Sequence, residues 1–288
     1  MQQSTSSDTD KLRTRVAFIG NSIIYYNDCP RFLANLSNDH VNIHQDSCLR
    51  GGTNLQQLWE QGNGMSEHGF KEQQEYPTVQ SLLECNKDKQ TYDYIIFNDH
   101  TQGPARLDSR KATQQTLLKH YLPLILQNEA IPIIIETAAY RYPDINNSND
   151  LGTTHAFQLK VKEGVESYVH TLQPKLSKKC VVAPVGTAYL YVHDDNKELW
   201  ARLLDPTDHF HPSLLGTFLQ GCVLHCTMFN SSPPLPQTDE DIASLWRDAR
   251  YIKTGKNRPF PSVEEAAYLL NVAKIVCGIG EEGIESSL

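Results

Sequence analysis

Five short apolar runs, separated by segments with helical spacing, constrain the fold of this chain more than any other feature. Each run is short enough for a strand, and the segments between them carry an apolar residue every three or four positions. The runs are VAFIG at 16–20, VNIHQ at 41–45, YDYIIFN at 92–98, IPIIIET at 131–137 and CVVAPV at 180–185. Alternation of strand and helix predicts an α/β protein with a five-stranded parallel sheet covered by helices on both faces.

The residues that leave each predicted strand are the first candidates for a functional site. In open parallel sheets, ligands bind beyond the carboxyl ends of the strands. The strand exits are Gly20-Asn21-Ser22, Arg50-Gly51-Gly52-Thr53, Asn98-Asp99-His100, Thr137 to Pro143 and, after an intervening helix, LLDPTDHFHPS at 203–213. We therefore expect the chemistry of the protein to depend on these loops.

The chain has room for one large domain with an appendage. Its 288 residues can bury a sizeable core. We predict a disordered polar tail at 1–14, a main α/β domain at 15–230 and a helical extension at 231–288. The extension contains Ser262-x-x-Glu265, which is a capping box. It is too short to bury a core alone, so we expect it to pack on the main domain.

Charge and cysteine content limit the classes of partner. The net charge is -8 with acidic and basic residues mixed, so no nucleic acid partner is expected. No segment has the roughly 18 apolar residues of a membrane span. Seven scattered cysteines without a Cys-x-x-Cys pair favour a reduced, cytoplasmic location over a disulfide framework. The C-terminal Ser-Ser-Leu resembles a peroxisomal address without its basic middle residue.

Ser22 follows a strand and precedes a helix, where backbone N–H groups can bind an anion. Two interpretations are open, because Ser22 could be a nucleophile or only the cap of the helix. Ile24 stands where a Gly-x-Ser-x-Gly elbow would have its second glycine, so the α/β-hydrolase elbow is not indicated.

A serine nucleophile needs a base, and the segment Asp208-His209-Phe210-His211-Pro212 offers one. A carboxylate three residues before an imidazole can fold back to orient it, which makes His211 the candidate base and Asp208 its partner. Two alternatives remain: His209 and His211 could bind a metal, or Asp208 could begin the next helix. No local cluster supplies the further ligands that a metal needs.

Acyl transfer also needs hydrogen-bond donors where negative charge develops. Gly51 and Gly52 allow close approach of a backbone N–H, since neither has a Cβ atom. The side-chain amide of Asn98 could supply another donor. Singly, such residues are more often structural, but together with Ser22 and Asp208/His211 they favour an oxyanion site.

Four segments of the sequence resemble the four blocks of the SGNH (GDSL-type) hydrolase superfamily. They are Gly20-Asn21-Ser22, the Gly51-Gly52 turn, Asn98-Asp99 and Asp208-x-x-His211. The resemblance covers roughly residues 14–230 and implies a three-layer, flavodoxin-like α/β/α fold. It also implies a triad of Ser22, Asp208 and His211, with oxyanion donors at Ser22, Gly51 or Gly52, and Asn98. The run from Cys48 to Trp59 is similar to the Gly-Gly-Thr block of carbohydrate esterase branches.

Two positions depart from the pattern of that superfamily. Asn21 stands where an aspartate is usual, and Ile96 stands where the third block has glycine. Neither position supplies a group of the expected triad, so we expect these departures to bear on substrate fit and turnover more than on the fold.

The rim of the expected pocket is rich in aromatic and amide side chains. We expect Tyr25, His100 and Arg141 to contact the substrate, with Tyr26, Thr101, Gln102, Tyr140 and Tyr142 nearby. Such a rim suits a hydroxylated or anionic molecule. The resulting hypothesis is a serine esterase without a cofactor that acts on a small or carbohydrate ester. The alternatives are an acyltransferase with the same triad and a non-catalytic binding module; the sequence leaves the oligomeric state open.

Overall fold

The sheet has five strands, all parallel. The computed structural model of the chain describes residues 13–38, 41–68, 76–84, 91–250 and 259–280. The strands are β1 (Arg13–Gly20), β2 (Asn42–Leu49), β3 (Tyr94–Phe97), β4 (Ile131–Ile135) and β5 (Val181–Ala183). Their order is β2-β1-β3-β4-β5, which is the flavodoxin-like order. All five predicted strands are therefore confirmed.

The strand bounds differ from the predicted runs, most clearly in β1 and β2. β1 begins at Arg13, three residues before its apolar run, and β2 continues to Leu49. The residues added to β1 are polar, and those added to β2 are Asp46 and Ser47 followed by the buried Cys48 and Leu49. An ion pair of 3.1 Å between Arg15 and Asp46 joins the two strands across the sheet. Polar side-chain pairing thus extends the pairing of β1 and β2 over residues that the apolar pattern does not predict to be strand.

Helices cover both faces of the sheet, which confirms the three-layer architecture. Alternate residues of β1 point to opposite faces, so Val16 and Phe18 enter one core while Ala17 and Ile19 enter the other. The first face carries α2 (Cys29–Ser37), α9 (Val185–Asp195), α10 (Lys197–Leu203), α11 (Leu214–Phe229), α12 (Asp239–Ser244) and α13 (Val263–Val276). The second carries α3 (Leu55–Gln61), α4 (Val79–Leu83), α6 (Leu107–Thr116), α7 (Leu122–Asn128) and α8 (Thr154–Leu172).

Short elements complete the chain. Two one-turn helices, α1 (Ser22–Tyr25) and α5 (Gln102–Ala105), lie at the carboxyl edge of the sheet, and a π-helical turn (Leu117–Tyr121) joins α6 to α7. The 3-10 turns are Met65–His68, Pro143–Asn146, Asn149–Leu151 and Gln173–Lys175. Among the described residues, no helix is both long enough and apolar enough to cross a bilayer.

The described part of the C-terminal extension shares a core with the main domain. Trp246 packs on Phe32 of α2, with 4.6 Å between ring centroids. Leu269 and Ala273 of α13 are fully buried in the core that α11 also enters. The predicted capping box at Ser262 and Glu265 is present and begins α13. Residues 1–12 of the predicted tail at 1–14 and the C-terminal Ser-Ser-Leu lie outside the described residues, whereas Arg13 and Thr14, the last two residues of that tail, belong to β1.

Candidate active site

The loop that carries Ser22 is held by the side chain of Asn21. Asn21 Oδ1 accepts a hydrogen bond from the backbone N–H of Ile23 at 3.1 Å and so caps α1. Asn21 Nδ2 donates to the Thr53 carbonyl at 2.9 Å, which joins the loops after β1 and β2. A carboxylate could cap the helix but could not donate to a carbonyl. An asparagine at this position therefore fits the local structure.

Asn98 lies beneath the Ser22 loop and is completely buried. Its Oδ1 accepts from the N–H of Asn21 at 3.2 Å. Its Nδ2 donates to Asn21 Oδ1 at 2.8 Å and to the Asp99 carbonyl at 3.0 Å, so both amide hydrogens have acceptors. A Cβ atom at Gly20 would lie 1.9 Å from Asn98 Oδ1, which explains the glycine there. In this arrangement Asn98 braces the Ser22 loop.

Ile96 is accommodated because β3 is a buried central strand. It is fully buried and lies between Phe18 of β1 and Ile133 of β4 in the sheet register. Its side chain belongs to the apolar core on the α2 and α11 face. A large apolar residue at the glycine position therefore strengthens the core without entering the Asn98 loop.

The Asp208–His211 segment forms the compact arrangement that its spacing predicts. Asp208 Oδ2 lies 2.7 Å from His211 Nδ1, and Asp208 Oδ1 accepts from the N–H groups of Phe210 at 3.1 Å and His211 at 3.0 Å. Partial burial opposes ionisation of Asp208, but the bonds from the side chain and backbone of His211 outweigh it and lower its pKa. The anionic carboxylate favours the tautomer with hydrogen on Nδ1, which leaves Nε2 as an acceptor.

The Nε2 atom of His211 is the free end of this pair. It is buried and has no hydrogen-bond partner among the described residues, so no bond to Ser22 is formed here. Catalytic hydrogen bonds are often made only when substrate is bound. The His211 ring stacks on Tyr26, with centroids 4.1 Å apart and planes 2° apart. The orientation of Nε2 is therefore fixed by Asp208 at the Nδ1 edge of the ring and by Tyr26 on one face.

A second contact ties the histidine segment to the serine segment. Asn27 Nδ2 donates to the Pro212 carbonyl at 2.7 Å and to Thr217 Oγ1 at 2.9 Å. Asn27 and Pro212 are 185 residues apart in the chain. This buried amide keeps the residue after His211 next to the residues that follow α1.

His209 occupies a different environment from His211. Its backbone has φ of 66°, and its carbonyl accepts from the N–H of Arg141 at 3.0 Å. Its ring meets the edge of Tyr142, whereas the His211 ring contacts Tyr26. Within the described residues, no group of three or more His, Cys, Asp or Glu side chains is placed to hold a metal ion.

Ser22 and His211 open into one cavity of about 240 Å³ at the carboxyl edge of the sheet. Its walls come from the loops after β1, β2, β3 and β4 and from the histidine segment. The lining residues are Asn21, Ser22, Ile23, Gly52, His100, Thr101, Gln102, Tyr140, Phe210 and His211. Another cavity of about 320 Å³ lies between α2 and residues 234–247, and no histidine lines it.

The cavity includes some of the residues expected at the site and leaves out others. Gly52, with φ of 68°, lines it, whereas Gly51 and Asn98 do not. Of the three expected substrate contacts, only His100 lines it. Tyr25 is 5% exposed and belongs to the apolar core, and Arg141 Nη1 donates to the Ala201 carbonyl at 3.3 Å.

Ile23 and Phe210 line the cavity but were not expected at the site. The only signal for them in the sequence is their position next to Ser22 and His211. Apolar residues beside a motif are ordinarily assigned to the core, so that signal is weak.

The polar wall of the cavity consists of neutral groups that are held in place. Burial lowers the pKa of His100, opposed by Asp99, and burial raises the pKa of Tyr140 to about 12. Both side chains are therefore uncharged near neutral pH. Gln102 is oriented by Arg106, whose Nη1 donates to its Oε1. Arg106 Nη2 is held in turn by Asp150 Oδ1 at 2.7 Å.

Asp99 anchors the loop that leads to His100. Its Oδ1 accepts from the N–H groups of Leu55 at 3.2 Å and His100 at 2.9 Å, and its Oδ2 accepts from Thr113 Oγ1 and Tyr168 OH, both at 2.8 Å. Burial raises its pKa, although these hydrogen bonds oppose the rise. The carboxyl group thus joins α3, α6 and α8 to the edge of the cavity.

Comparison with known proteins gives structural relatives only. No family model matches the sequence, and no curated protein is significantly similar to it. A candidate SGNH hydrolase from Slackia heliotrinireducens aligns over 75% of this chain and 99% of its own, with 21% identity and a TM-score of 0.53. A DUF4886 family protein from Bacteroides uniformis aligns over 92% of this chain and 95% of its own, with 15% identity and a TM-score of 0.59. Strand order, layer arrangement and these neighbours agree that the chain has the fold of the SGNH hydrolase superfamily.

Proposed function

We propose that the protein is a serine ester hydrolase in which Ser22 is the nucleophile, His211 the general base and Asp208 its orienting carboxylate. One observation carries the proposal: Asp208 fixes Nδ1 of His211, and the buried Nε2 has no partner in the cavity that Ser22 also lines. His209 also has a buried ring nitrogen, Nδ1, without a partner among the described residues, but His209 does not line the cavity and is not paired with Asp208, so these two features together distinguish His211.

The proposed reaction follows from these positions. His211 Nε2 takes the proton of the Ser22 hydroxyl while Oγ attacks the ester carbonyl, and the resulting imidazolium is stabilised by Asp208. The same proton then passes to the alcohol as the ester C–O bond breaks. Water, deprotonated by His211, attacks the acyl-enzyme carbonyl, and His211 returns that proton to Ser22 Oγ as the bond between Oγ and the acyl carbon breaks and the acid leaves.

The developing oxyanion needs donors close to Ser22. Ser22 is the first residue of α1, where a backbone N–H has no acceptor within the helix. Gly52 lines the same cavity and its backbone can approach closely. We assign the two donors to the N–H groups of Ser22 and Gly52, with Asn98 acting through the Asn21 loop that it braces.

The cavity favours a small polar ester over a long-chain lipid. A volume of about 240 Å³ is small for a ligand site. Its polar wall of His100, Thr101, Gln102 and Tyr140 offers neutral hydrogen-bonding groups to an alcohol with several hydroxyls. These features support an acetylated sugar or a similar hydroxylated ester as the substrate class.

A fluorophosphonate probe tests the proposal because it labels only an activated serine. The wild-type protein should be labelled and should hydrolyse p-nitrophenyl acetate, whereas Ser22→Ala should do neither. Its thermal midpoint should stay within a few degrees, since a loop hydroxyl contributes at most about 1 kcal/mol.

The chain offers a matched control for this experiment. Ser37 is also paired with a histidine, since its Oγ lies 2.9 Å from His225 Nδ1, but it is fully buried in α2 and does not line the cavity. Ser37→Ala should retain labelling and turnover. Labelling that persists in Ser22→Ala, or that is lost in Ser37→Ala alone, would refute the assignment of Ser22.

A further inference from the structure

A second, much smaller chamber adjoins the cavity that holds Ser22. Its volume is about 10 Å³, which is about the space of one water-sized probe. Residues Ile23 and Phe210 line both spaces. The full lining consists of Ile23, Ala138, Val185, Tyr189, Leu204, Phe210, Pro212 and Gln220. Ser22 and His211 do not line the chamber themselves, but three of its residues, Ile23, Phe210 and Pro212, are their direct neighbours in the chain.

The walls of this chamber are apolar and close-packed. Val185, Leu204 and Tyr189 are at most 3% exposed and belong to the core on that face of the sheet. The polar groups at its edge bond to backbone carbonyls: Gln220 Nε2 to Ile23 O at 3.3 Å and Tyr189 OH to Leu203 O at 3.5 Å. The chamber therefore offers apolar contact to a small group and has no room to expand without repacking.

We propose that this chamber receives the acyl group of the substrate and restricts it to acetyl. The inference rests on the proposed esterase function, and it divides the site into two parts. The methyl group of an acetate ester matches a space of about one heavy atom that shares Ile23 and Phe210 with the Ser22 cavity, while the larger polar cavity remains for the alcohol. Each extra methylene must displace packed side chains, so longer acyl chains should react more slowly.

The acyl-chain profile of the wild-type protein is the direct test. The p-nitrophenyl esters of acetate, propionate and butyrate share a leaving group and differ only in the acyl part. We expect kcat/KM to fall by about tenfold or more for each added methylene. Equal values for acetate and butyrate would overturn the proposal.

Enlarging the chamber should relax this preference. Val185→Ala removes two methyl groups from its wall and should raise the ratio of butyrate to acetate kcat/KM by about tenfold or more. Leu204→Ala enlarges the same space from another element and serves if Val185→Ala does not fold. Neither residue belongs to the proposed catalytic machinery.

Val192→Ala is the matched control. Val192 lies on α9 like Val185 and is fully buried, but it does not line the chamber. Its substitution should leave the butyrate to acetate ratio unchanged. A change of ratio in Val192→Ala equal to that in Val185→Ala would attribute the effect to general loosening and refute the chamber.

The two proposals fail in different ways. If esters are hydrolysed and the probe labels Ser22, but the acyl profile is flat, only the acyl chamber is refuted. If no ester is hydrolysed and the probe does not label Ser22, the esterase function is refuted and the acyl chamber with it.

Discussion

At the scale of single residues, the two histidines of the DHFH segment differ in what they contact. Each has a buried ring nitrogen without a partner among the described residues, but His211 is held by Asp208 and Tyr26 and lines the cavity, whereas His209 lies outside the cavity with a positive φ. Their order in the sequence does not reveal this difference. It follows from the fold of the loop, which turns the His209 ring toward Tyr142 and the His211 ring toward Tyr26.

We predict that His211→Ala reduces turnover as severely as Ser22→Ala, because nucleophile and base act as one unit. His209→Asn should retain most of the activity, since asparagine tolerates the left-handed backbone and the lost imidazole is not required. Turnover of p-nitrophenyl acetate measures both. An inactive His209→Asn protein that folds normally would show that the base has been assigned two positions too late.

Asn98 allows a second prediction at this scale. The side-chain amide of Asn98 is bonded to Asn21, the residue before Ser22. Asn98→Ala should therefore slow the reaction by shifting Ser22 away from its reactive position. Asn21→Ala breaks the same pair, so we expect both variants to have similarly reduced kcat and the double variant to be no slower than the worse single one.

The kcat values of the two single variants distinguish a positioning role of Asn98 from direct contact with the oxyanion. Loss of a direct oxyanion donor costs about a hundredfold or more in kcat. If Asn98→Ala were slower than Asn21→Ala by that factor, Asn98 would contact the oxyanion itself and its bonds to Asn21 and Asp99 would have to exchange during the reaction.

At the scale of elements, Glu136 joins the end of β4 to two helices. The carboxyl group is 1% exposed and accepts from Gln158 Nε2 of α8 at 2.8 Å and Thr187 Oγ1 of α9 at 2.9 Å. Gln158 Oε1 in turn accepts from the N–H of Ala139 at 2.7 Å, in the loop that carries Tyr140. This network positions one wall of the cavity without lining it.

Glu136 should make stability depend on pH. Burial raises its pKa, although the bonds from Thr187 and Gln158 oppose the rise. The folded protein therefore keeps a proton that the unfolded chain has lost above about pH 4.3. This contribution to stability is fully present below that pH and is lost as the pH rises through the raised pKa.

Glu136→Gln removes this ionisation while keeping an acceptor for one of the bonds. Between about pH 4 and 8, the free energy of unfolding of the wild-type protein should fall relative to that of the variant as pH rises. Urea denaturation at several pH values measures the difference. Glu166→Gln provides the matched control, because it makes the same substitution at an exposed position of α8. A pH-independent difference for Glu136→Gln would contradict the prediction.

Strands and short-range contacts were predictable from the sequence where neighbouring residues alone determine them. The runs located all five strands, and in β1, β3 and β4 they are nearly continuous because these strands are buried on both faces; in β2 only Val41 and Ile43 of the run are apolar. The bounds of β1 and β2 were wrong because polar cross-strand pairs such as Arg15 and Asp46 leave no apolar trace. The contact between Asp208 and His211 was also predictable, because it joins residues three apart within one loop.

The site contacts that the sequence did not predict depend on helix rotation and loop paths. Tyr25 is the last residue of α1 and Tyr26 follows it directly. Tyr25 nevertheless enters the core, whereas Tyr26 stacks on His211. Successive helical residues point about 100° apart, and only packing fixes which one faces the site. The position of Arg141 likewise depends on the path of the loop after β4, where its backbone N–H donates to the His209 carbonyl.

At the scale of the whole molecule, the sheet brings distant parts of the chain to one edge. Loops after four strands and the segment before α11 all contribute to the cavity. The described residues beyond 230 do not line it, but α13 packs on α11, which begins two residues after Pro212. The extension thus stabilises the position of α11, the helix that follows the histidine segment, through their shared core.

The hydrogen bond from Asn27 to Pro212 also has a consequence for synthesis. Because its partners are 185 residues apart, the serine loop leaves the ribosome long before the histidine segment has been made. At 5–20 residues per second, the delay is roughly ten to forty seconds. During that time the nascent chain carries an exposed serine loop with no base and an unfinished sheet edge. If Ser22 and His211 act as proposed, hydrolytic activity would thus arise only late in synthesis, after a long-range closure of the kind that slows folding.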